Sequence, residues 1–169
     1  MRAVGYFKNG PLSEPGALQD VTVPEPAGGP FDIIVDVKAV SVNPVDYKVR
    51  MRSAPQGQGP KVIGFDAAGV VRSVGKEAAS LFRPGDEVYY AGAINRQGSN
   101  AERQAVDARI VGKKPASLDW AEAAALPLTT ITAWEMLFDR IDVAKPVPGA
   151  APAVLIIGGA GGVGSIAIQ

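Results

Sequence analysis

The sequence predicts a mainly β protein. A partly open barrel comes first, then connector helices, then the first strand and turn of an α/β unit. Three observations predict this. Short alternating runs separated by Gly/Pro turns fill residues 1 to about 115. The pattern turns Ala-rich and helical over about 116 to 144. The last stretch, AVLIIGGAGGVGSIAIQ (153–169), runs from an apolar segment through a glycine turn into a helical start.

The elements follow in order. Arg2 to Phe7 is a short β-like run, punctuated by Asn9-Gly10-Pro11. Val21-Thr22-Val23 precedes a Pro/Gly cluster. In Phe31 to Val42, Ile33, Val35, Val37 and Ala39 alternate with Asp32, Asp36 and Lys38, the pattern of a strand with one solvent face. Asn43-Pro44 ends it, and Pro44 suits the first turn of a short helix, Val45 to Met51. Residues 53 to 61 form a loop. Gly64 and Gly69 interrupt a β-rich run over Val62 to Val74, which marks a bulge or a barrel corner. Arg83 to Asp86 is a turn, Glu87 to Ala91 a strand, Gly92 to Asn100 a polar loop, and Ala101 to Gly112 a strand pair or a bent strand.

Asp119, with Glu122 three residues on, starts a helix with a capping box. Pro127 interrupts it. Leu128 to Phe138 is a second helix with Leu128, Ile131, Trp134 and Phe138 on one face. Trp120 and Trp134 are expected in the core. Asp66 is expected to be a buried partner for a basic group. Lys145 to Pro152 is a Pro/Gly linker, and Ala153 to Ile157 reads as a buried strand.

Composition excludes several function classes. Hydrophobic residues make 47% of the chain and charged residues 20%, which separates it from disordered sequences. Seventeen basic residues balance seventeen acidic ones, so no charge bias points to nucleic acid or to a membrane surface. Cys and His are both absent. That removes the ligands zinc prefers and rules out Ser-His and Cys-His nucleophiles. The N-terminus lacks an apolar signal core, so the expected location is cytoplasmic.

Gly159-Ala160-Gly161-Gly162-Val163-Gly164 matches G-x-G-x-x-G between an apolar run and a helical start. The first glycine permits a tight turn, the second lets the backbone approach a pyrophosphate, and the third lets helix and strand pack closely. A glycine-rich tail lying on the barrel, or a disordered one, is the competing reading. The acidic or basic residue that would separate NAD from NADP lies about 20 residues further on, past Gln169.

The stretches SVNPVDYKVR (41–50), GFDAAGVVRSVG (64–75), FRPGDEVYYAG (82–92), AAALPLTTITAWEML (123–137) and IIGGAGGVGSIAIQ (156–169) together resemble the medium-chain dehydrogenase/reductase superfamily. The nearest branch is the quinone oxidoreductase-like, "zinc-type alcohol dehydrogenase-like" one. The resemblance implies a GroES-like substrate domain over 1–120, connector helices and linker over 121–152, and the start of a truncated Rossmann domain over 153–169. Zinc-dependent relatives carry Cys where this chain has Asn43 and His where it has Phe65, so a zinc-free site is implied. It also implies that Asn43 lies near the nicotinamide and that Thr129 or Thr130 touches the cofactor. Gly159, Ala160, Gly161, Gly162, Val163 and Gly164 would cradle its pyrophosphate. Read alone, Asn43 before Pro44 also shapes a turn and the Thr pair also caps a helix.

The implied reaction is hydride transfer from NADP(H), with NAD(H) open, to a quinone or a carbonyl-conjugated alkene. Tyr47 and Lys48 are the candidate donors to the developing oxyanion, set against a solvated Lys and a packed Tyr. Relatives often carry Tyr at the Lys48 position. The run 154–169 is about half of the roughly 30 residues a βαβ unit needs, so the chain is expected to be a piece of a longer enzyme and inactive alone. A truncated, non-catalytic barrel acting as a binding or interaction module is the alternative, and an alcohol dehydrogenase of the zinc-type family without its zinc is the alternative enzyme. A run 154–157 left without partner strands is expected to pack on the barrel, to pair with a second copy as a homodimer, or to be disordered.

Overall fold

The computed structural model describes residues 1–145, 148–149 and 153–169. Most of the Lys145 to Pro152 linker therefore lies outside the described residues. Among the described residues, eight strands form two antiparallel sheets. β1 (Arg2–Tyr6) lies between β2 (Gln19–Thr22) and β4 (Lys61–Val62) in the smaller sheet. The larger sheet contains β3 (Asp32–Ser41), β5 (Asp66–Val74), β6 (Glu87–Ala91), β7 (Arg103–Asp107) and β8 (Val111–Lys113), in the order β7-β3-β5-β6-β8.

The expected strand pair in 101–112 resolves differently. β7 pairs with β3 and β8 with β6, so the two strands lie on opposite edges of one sheet. Only Ala108–Ile110, a single 3-10 turn, joins them. Three residues cannot span far, so the two edges must approach and the sheet curls into a partly open barrel.

The curl needs room at Gly69. β3 shifts register against β5 between Ile34 and Val35 and again between Val37 and Ala39. A Cβ on Gly69 would run into the Asp36 carbonyl and stand 2.7 Å from Val35 Cγ1. The bare backbone lets the bulged strand lie close and turn the corner. Inside the barrel, Ile33, Val35, Ala67, Val71, Val88, Tyr90 and Val106 form the core. The Asp32 carboxylate is buried and held by both guanidinium nitrogens of Arg96, at 2.9 and 2.8 Å, which ties the 92–100 loop to β3.

α1 (Pro44–Arg52) starts with Pro44 in its first turn. Its Arg50 is buried, donates to the Ala17 and Gly10 carbonyls and lies over the Tyr6 ring, which fastens the 10–17 loop. α2 (Trp120–Ala124) carries the expected capping box: Glu122 N–H donates to Asp119 Oδ1 at 2.8 Å, and Asp119 N–H to Glu122 Oε2 at 2.9 Å. α3 (Pro127–Trp134) continues as a π-helical turn, Glu135–Arg140, and α4 (Gly162–Ala167) closes the chain.

Two expectations fail here. Trp134 is not in the core. It is 61% exposed and stacks on Phe138 with ring centroids 4.6 Å apart. Periodicity puts Ile131, Trp134 and Phe138 on one face, but all three are exposed. Trp120 is half-buried, with the Lys114 ammonium over its ring. Second, residues 153–157 form no strand. Among the described residues no strand pairs with them, and Val154, Leu155 and Ile157 are exposed. A strand is made by its ladder, not by its own apolar run. No helix among the described residues is long and apolar enough to cross a membrane.

Candidate functional site

β3 ends at Ser41, and the chain turns at once into α1. Asn43 is the N-cap residue, with extended backbone at φ −124° and ψ 160°. Its backbone N–H donates to Asp46 Oδ2 at 2.7 Å, the return arm of a capping box. β5 starts at Asp66, which stands opposite Ser41 on one side and Ala91 on the other. The Asp66 side chain points into the interior at the N-terminal end of α1.

Asp66 is fully buried. Its partner is not a basic group, as the sequence suggested. Asn43 Nδ2 donates to Oδ2 at 2.8 Å, and the backbone N–H of Leu128 donates to Oδ1 at 2.9 Å. Ser99 Oγ donates to the Asp66 main-chain carbonyl at 3.2 Å. Burial pushes the Asp66 carboxyl up to about 6, against the pull of the two hydrogen bonds; the nearby Asp46 adds to the rise. Burial also raises Asp46, whose Oδ1 has no hydrogen-bond partner among the described residues. Two buried carboxylates beside a neutral amide form a polar, cation-free cluster.

The donor set does not fit zinc. The chain has no Cys or His, the Asn43 amide nitrogen is turned to Asp66, and Phe65 is a buried aromatic. Among the described residues no group of three or more His, Cys, Asp or Glu could hold a metal ion.

α3 links this cluster to the glycine turn. Leu128 bonds to Asp66. The next residue, Thr129, has its Cγ2 3.2 Å from where a Cβ on Gly162 would lie. Thr129 Oγ1 donates to the Leu126 carbonyl at 3.0 Å, so it does not cap the helix. Thr130 is exposed. The turn itself spans Ile157–Ala160, and the left-handed residue is Gly158 at φ 78°, one position before the glycine the motif singles out. Gly161 is the N-cap of α4 and donates to the Gly158 carbonyl at 2.9 Å. The third motif glycine, Gly164, packs so closely that a Cβ would meet the Gly158 carbonyl and lie 2.7 Å from Gly159 Cα. Gly162, Val163 and Gly164 occupy the first three positions of α4, whose N–H groups have no acceptor within a helix. Ala160, Gly161 and Gly162 are exposed, so a ligand could reach them.

The structure thus brings together Asn43 with Asp66, and Thr129 with Gly162. It leaves Tyr47 and Lys48 exposed on α1. Sequence reasoning missed Asp46 and the Leu128 amide, and gave Asp66 the wrong partner. One signal was available: Asp66 is an acid inside the small-residue run GFDAAG, at the start of a strand whose first four residues are buried. A cavity of about 430 Å³ between residues 23–27 and 96–105 is separate from this cluster.

A family profile described as "Alcohol dehydrogenase GroES-like domain" matches residues 29–130. A zinc-type alcohol dehydrogenase-like protein of Staphylococcus aureus is 45% identical over 170 residues, covering 100% of this chain and 50% of that protein. The 2-methylene-furan-3-one reductase of Solanum lycopersicum is 37% identical over 179 residues, covering 100% of this chain and 43% of its own length. The crystal structure of a candidate zinc-dependent alcohol dehydrogenase from Rhizobium etli CFN 42 is 65% identical with a TM-score of 0.95, covering 99% of this chain and 48% of that one. The Escherichia coli quinone oxidoreductase complexed with NADPH is 25% identical with a TM-score of 0.67, covering 83% of this chain and 41% of that one. The chain spans about half the length of the curated relatives it matches.

Proposed function

Because the chain belongs to the alcohol dehydrogenase GroES-like domain family of the medium-chain dehydrogenase/reductase superfamily, we propose that it carries the barrel of an NADP(H)-dependent oxidoreductase that works without zinc. Its acceptor is a quinone or an alkene conjugated to a carbonyl. One observation carries this reading: adjacent residues of α3 touch both sites, Leu128 the buried Asp66 and Thr129 the Gly162 of the turn. The NADPH-bound quinone oxidoreductase and the furanone reductase among the relatives support the cofactor and the acceptor class.

The free N–H groups of Gly162, Val163 and Gly164 would hold the pyrophosphate, with Thr129 packed beside them. When bound, the nicotinamide supplies the hydride. Asn43, fixed by Asp66, lines the barrel side of the site. No metal polarises the acceptor, so orientation does most of the work. A proton must reach the reduced acceptor, and Tyr47 and Lys48, exposed on the first turn and a half of α1, are free to approach it. In a polypeptide of the relatives' full length, Lys48→Met with undiminished turnover would remove Lys48 from this role. The 169-residue chain by itself is proposed to turn over little.

The test is a titration of the ¹⁵N-labelled chain with NADPH, with NADH as comparison. Selective, competitive shifts of the Gly161 to Gly164 amides are expected at up to roughly 10 mM, the weak range of a half-built site. No movement of these amides at that concentration would overturn the nucleotide reading.

A further inference from the structure

We infer that Asp66 is a positioning residue: its carboxylate caps the N-terminus of α3 from across the barrel, and by seating α3 it sets Thr129 against the glycine turn while holding Asn43. α3 needs such a cap. Its N-cap position is Leu126, in helical backbone conformation at φ −91° and ψ −41°, and its side chain offers no acceptor. Pro127 has no N–H, so Leu128 is the first residue of the helix with an amide to satisfy. That amide is the one Asp66 Oδ1 accepts. The negative charge also suits the positive end of the helix.

The same carboxylate holds the barrel end. Oδ2 accepts from Asn43, the N-cap of α1, so both oxygens are committed and the group has one orientation. The residue after Leu128 touches the turn through Thr129 Cγ2 and Gly162. One side chain therefore spaces the Asn43 side of the site from the glycine side.

A residue chosen for stability alone would not be ionisable here. Asp66 is buried without a cation, and burial drives its carboxyl up to about 6, so the ionised acceptor is held at a cost to the fold near neutral pH. The ionisable group acting on it is Asp46 of α1, a like charge that adds to the cost. Its neighbours from β3, β6 and α3 are Ser41, Ala91 and Leu128, all uncharged. The consequence for a bound nucleotide rests on the function proposed above; the capping role does not.

The experiment uses the ¹⁵N,¹³C-labelled chain without nucleotide. In the wild type, the Leu128 amide and the Asn43 side-chain amide are expected to titrate with one shared midpoint near pH 6, and to keep doing so in Asp46→Asn. In Asp66→Ala, Leu128 amide exchange is expected to rise about tenfold or more, while β3 and β5 amides keep their protection. The contact between the Thr129 methyl and the Gly162 α protons is expected to vanish. Asp66→Asn, which keeps one acceptor, is expected to restore part of both. A Leu128 amide indifferent to pH from about 2 to 8, a range that spans both an ordinary and a raised carboxyl, overturns the proposal, and this needs no variant to fold. So does an unchanged Thr129–Gly162 contact in a folded Asp66→Ala. If the capping results hold and NADPH fails to bind, the nucleotide reading falls and the positioning role stands.

Discussion

Asp66 and Leu128 are 62 positions apart, yet the carboxylate of one accepts the backbone N–H of the other at 2.9 Å. This bond ties the barrel to the helix that leads to the glycine turn, and it has a pH signature. The Asp66 carboxyl is raised from 3.8 to about 6 in the fold, so the folded state prefers the neutral form. Its contribution to stability is fully present at acid pH and is lost as pH rises through about 6. Relative to the wild type, Asp66→Asn is expected to gain unfolding free energy from about pH 3 to 7 and then level off, by up to about 3 kcal/mol. Denaturant melts across that range check it. Asp32 and Asp107, held low by Arg96 and Arg109, act in the opposite sense in the more acid range, where stability is lost as pH falls. A flat difference between the two proteins would mean that the fold leaves the Asp66 carboxyl unshifted.

Tyr90 gives an independent stability prediction. Its ring is in the barrel core, its hydroxyl is buried without a partner among the described residues, and burial alone raises the phenol. An unsatisfied buried hydroxyl costs about 1–3 kcal/mol. Tyr90→Phe removes the atom and keeps the ring, so it is expected to be neutral or stabilising by about 1 kcal/mol in thermal melts. A loss of about 2 kcal/mol or more would reveal a partner for the hydroxyl.

The glycine turn predicts an asymmetry between two motif positions. A Cβ at Gly164 meets backbone, the Gly158 carbonyl and Gly159 Cα, which cannot yield without moving the turn. At Gly162, among the described residues, it meets only the Thr129 methyl at 3.2 Å, the far end of a side chain. Gly164→Ala is expected to collapse amide protection across α4, and Gly162→Ala to leave it within about threefold. Equal effects of the two substitutions would contradict the packing described for Gly164.

Metal content is a direct check on the donor set. After expression with excess zinc and dialysis, the chain is expected to retain well below one zinc per chain, and its melting temperature is expected to be indifferent to a chelator. Stoichiometric, chelator-sensitive zinc would mean that the Asn43, Asp46 and Asp66 cluster recruits a ligand from elsewhere.

The barrel was legible because its signals are local. Alternation in 31–42, glycines at 64 and 69 and the turn at 83–86 each specify their own neighbourhood, and the Asp119–Glu122 capping box formed in both directions. The site was legible only where a motif names its own backbone, as at Gly164. Asp66 was misread because its partners are uncharged: the Asn43 side-chain amide, and the Leu128 main-chain amide, which has no residue type to recognise. Trp134 was misread because a 3.6-residue period says which side chains share a face, not whether anything covers it. The strand expected at 153–157 required a neighbouring strand, which no run of apolar residues supplies by itself.

That uncovered surface makes the last prediction. Ile131, Trp134 and Phe138 line one exposed face of α3 and the turn after it, and Val154, Leu155 and Ile157 add an exposed extended run. Its backbone pairs with no strand among the described residues. Apolar side chains and unpaired strand groups seek cover, either from further chain such as the relatives' other half or from a second copy. For the 169-residue chain in isolation, light scattering is expected to show mass rising with concentration toward a dimer. Leu155→Asp and Trp134→Lys are each expected to shift that rise to higher concentration, because a charge on either element makes the cover costly. A chain that stays monomeric at every concentration, with Trp134 emission unchanged, would mean that this face is satisfied by water, and self-association would be set aside.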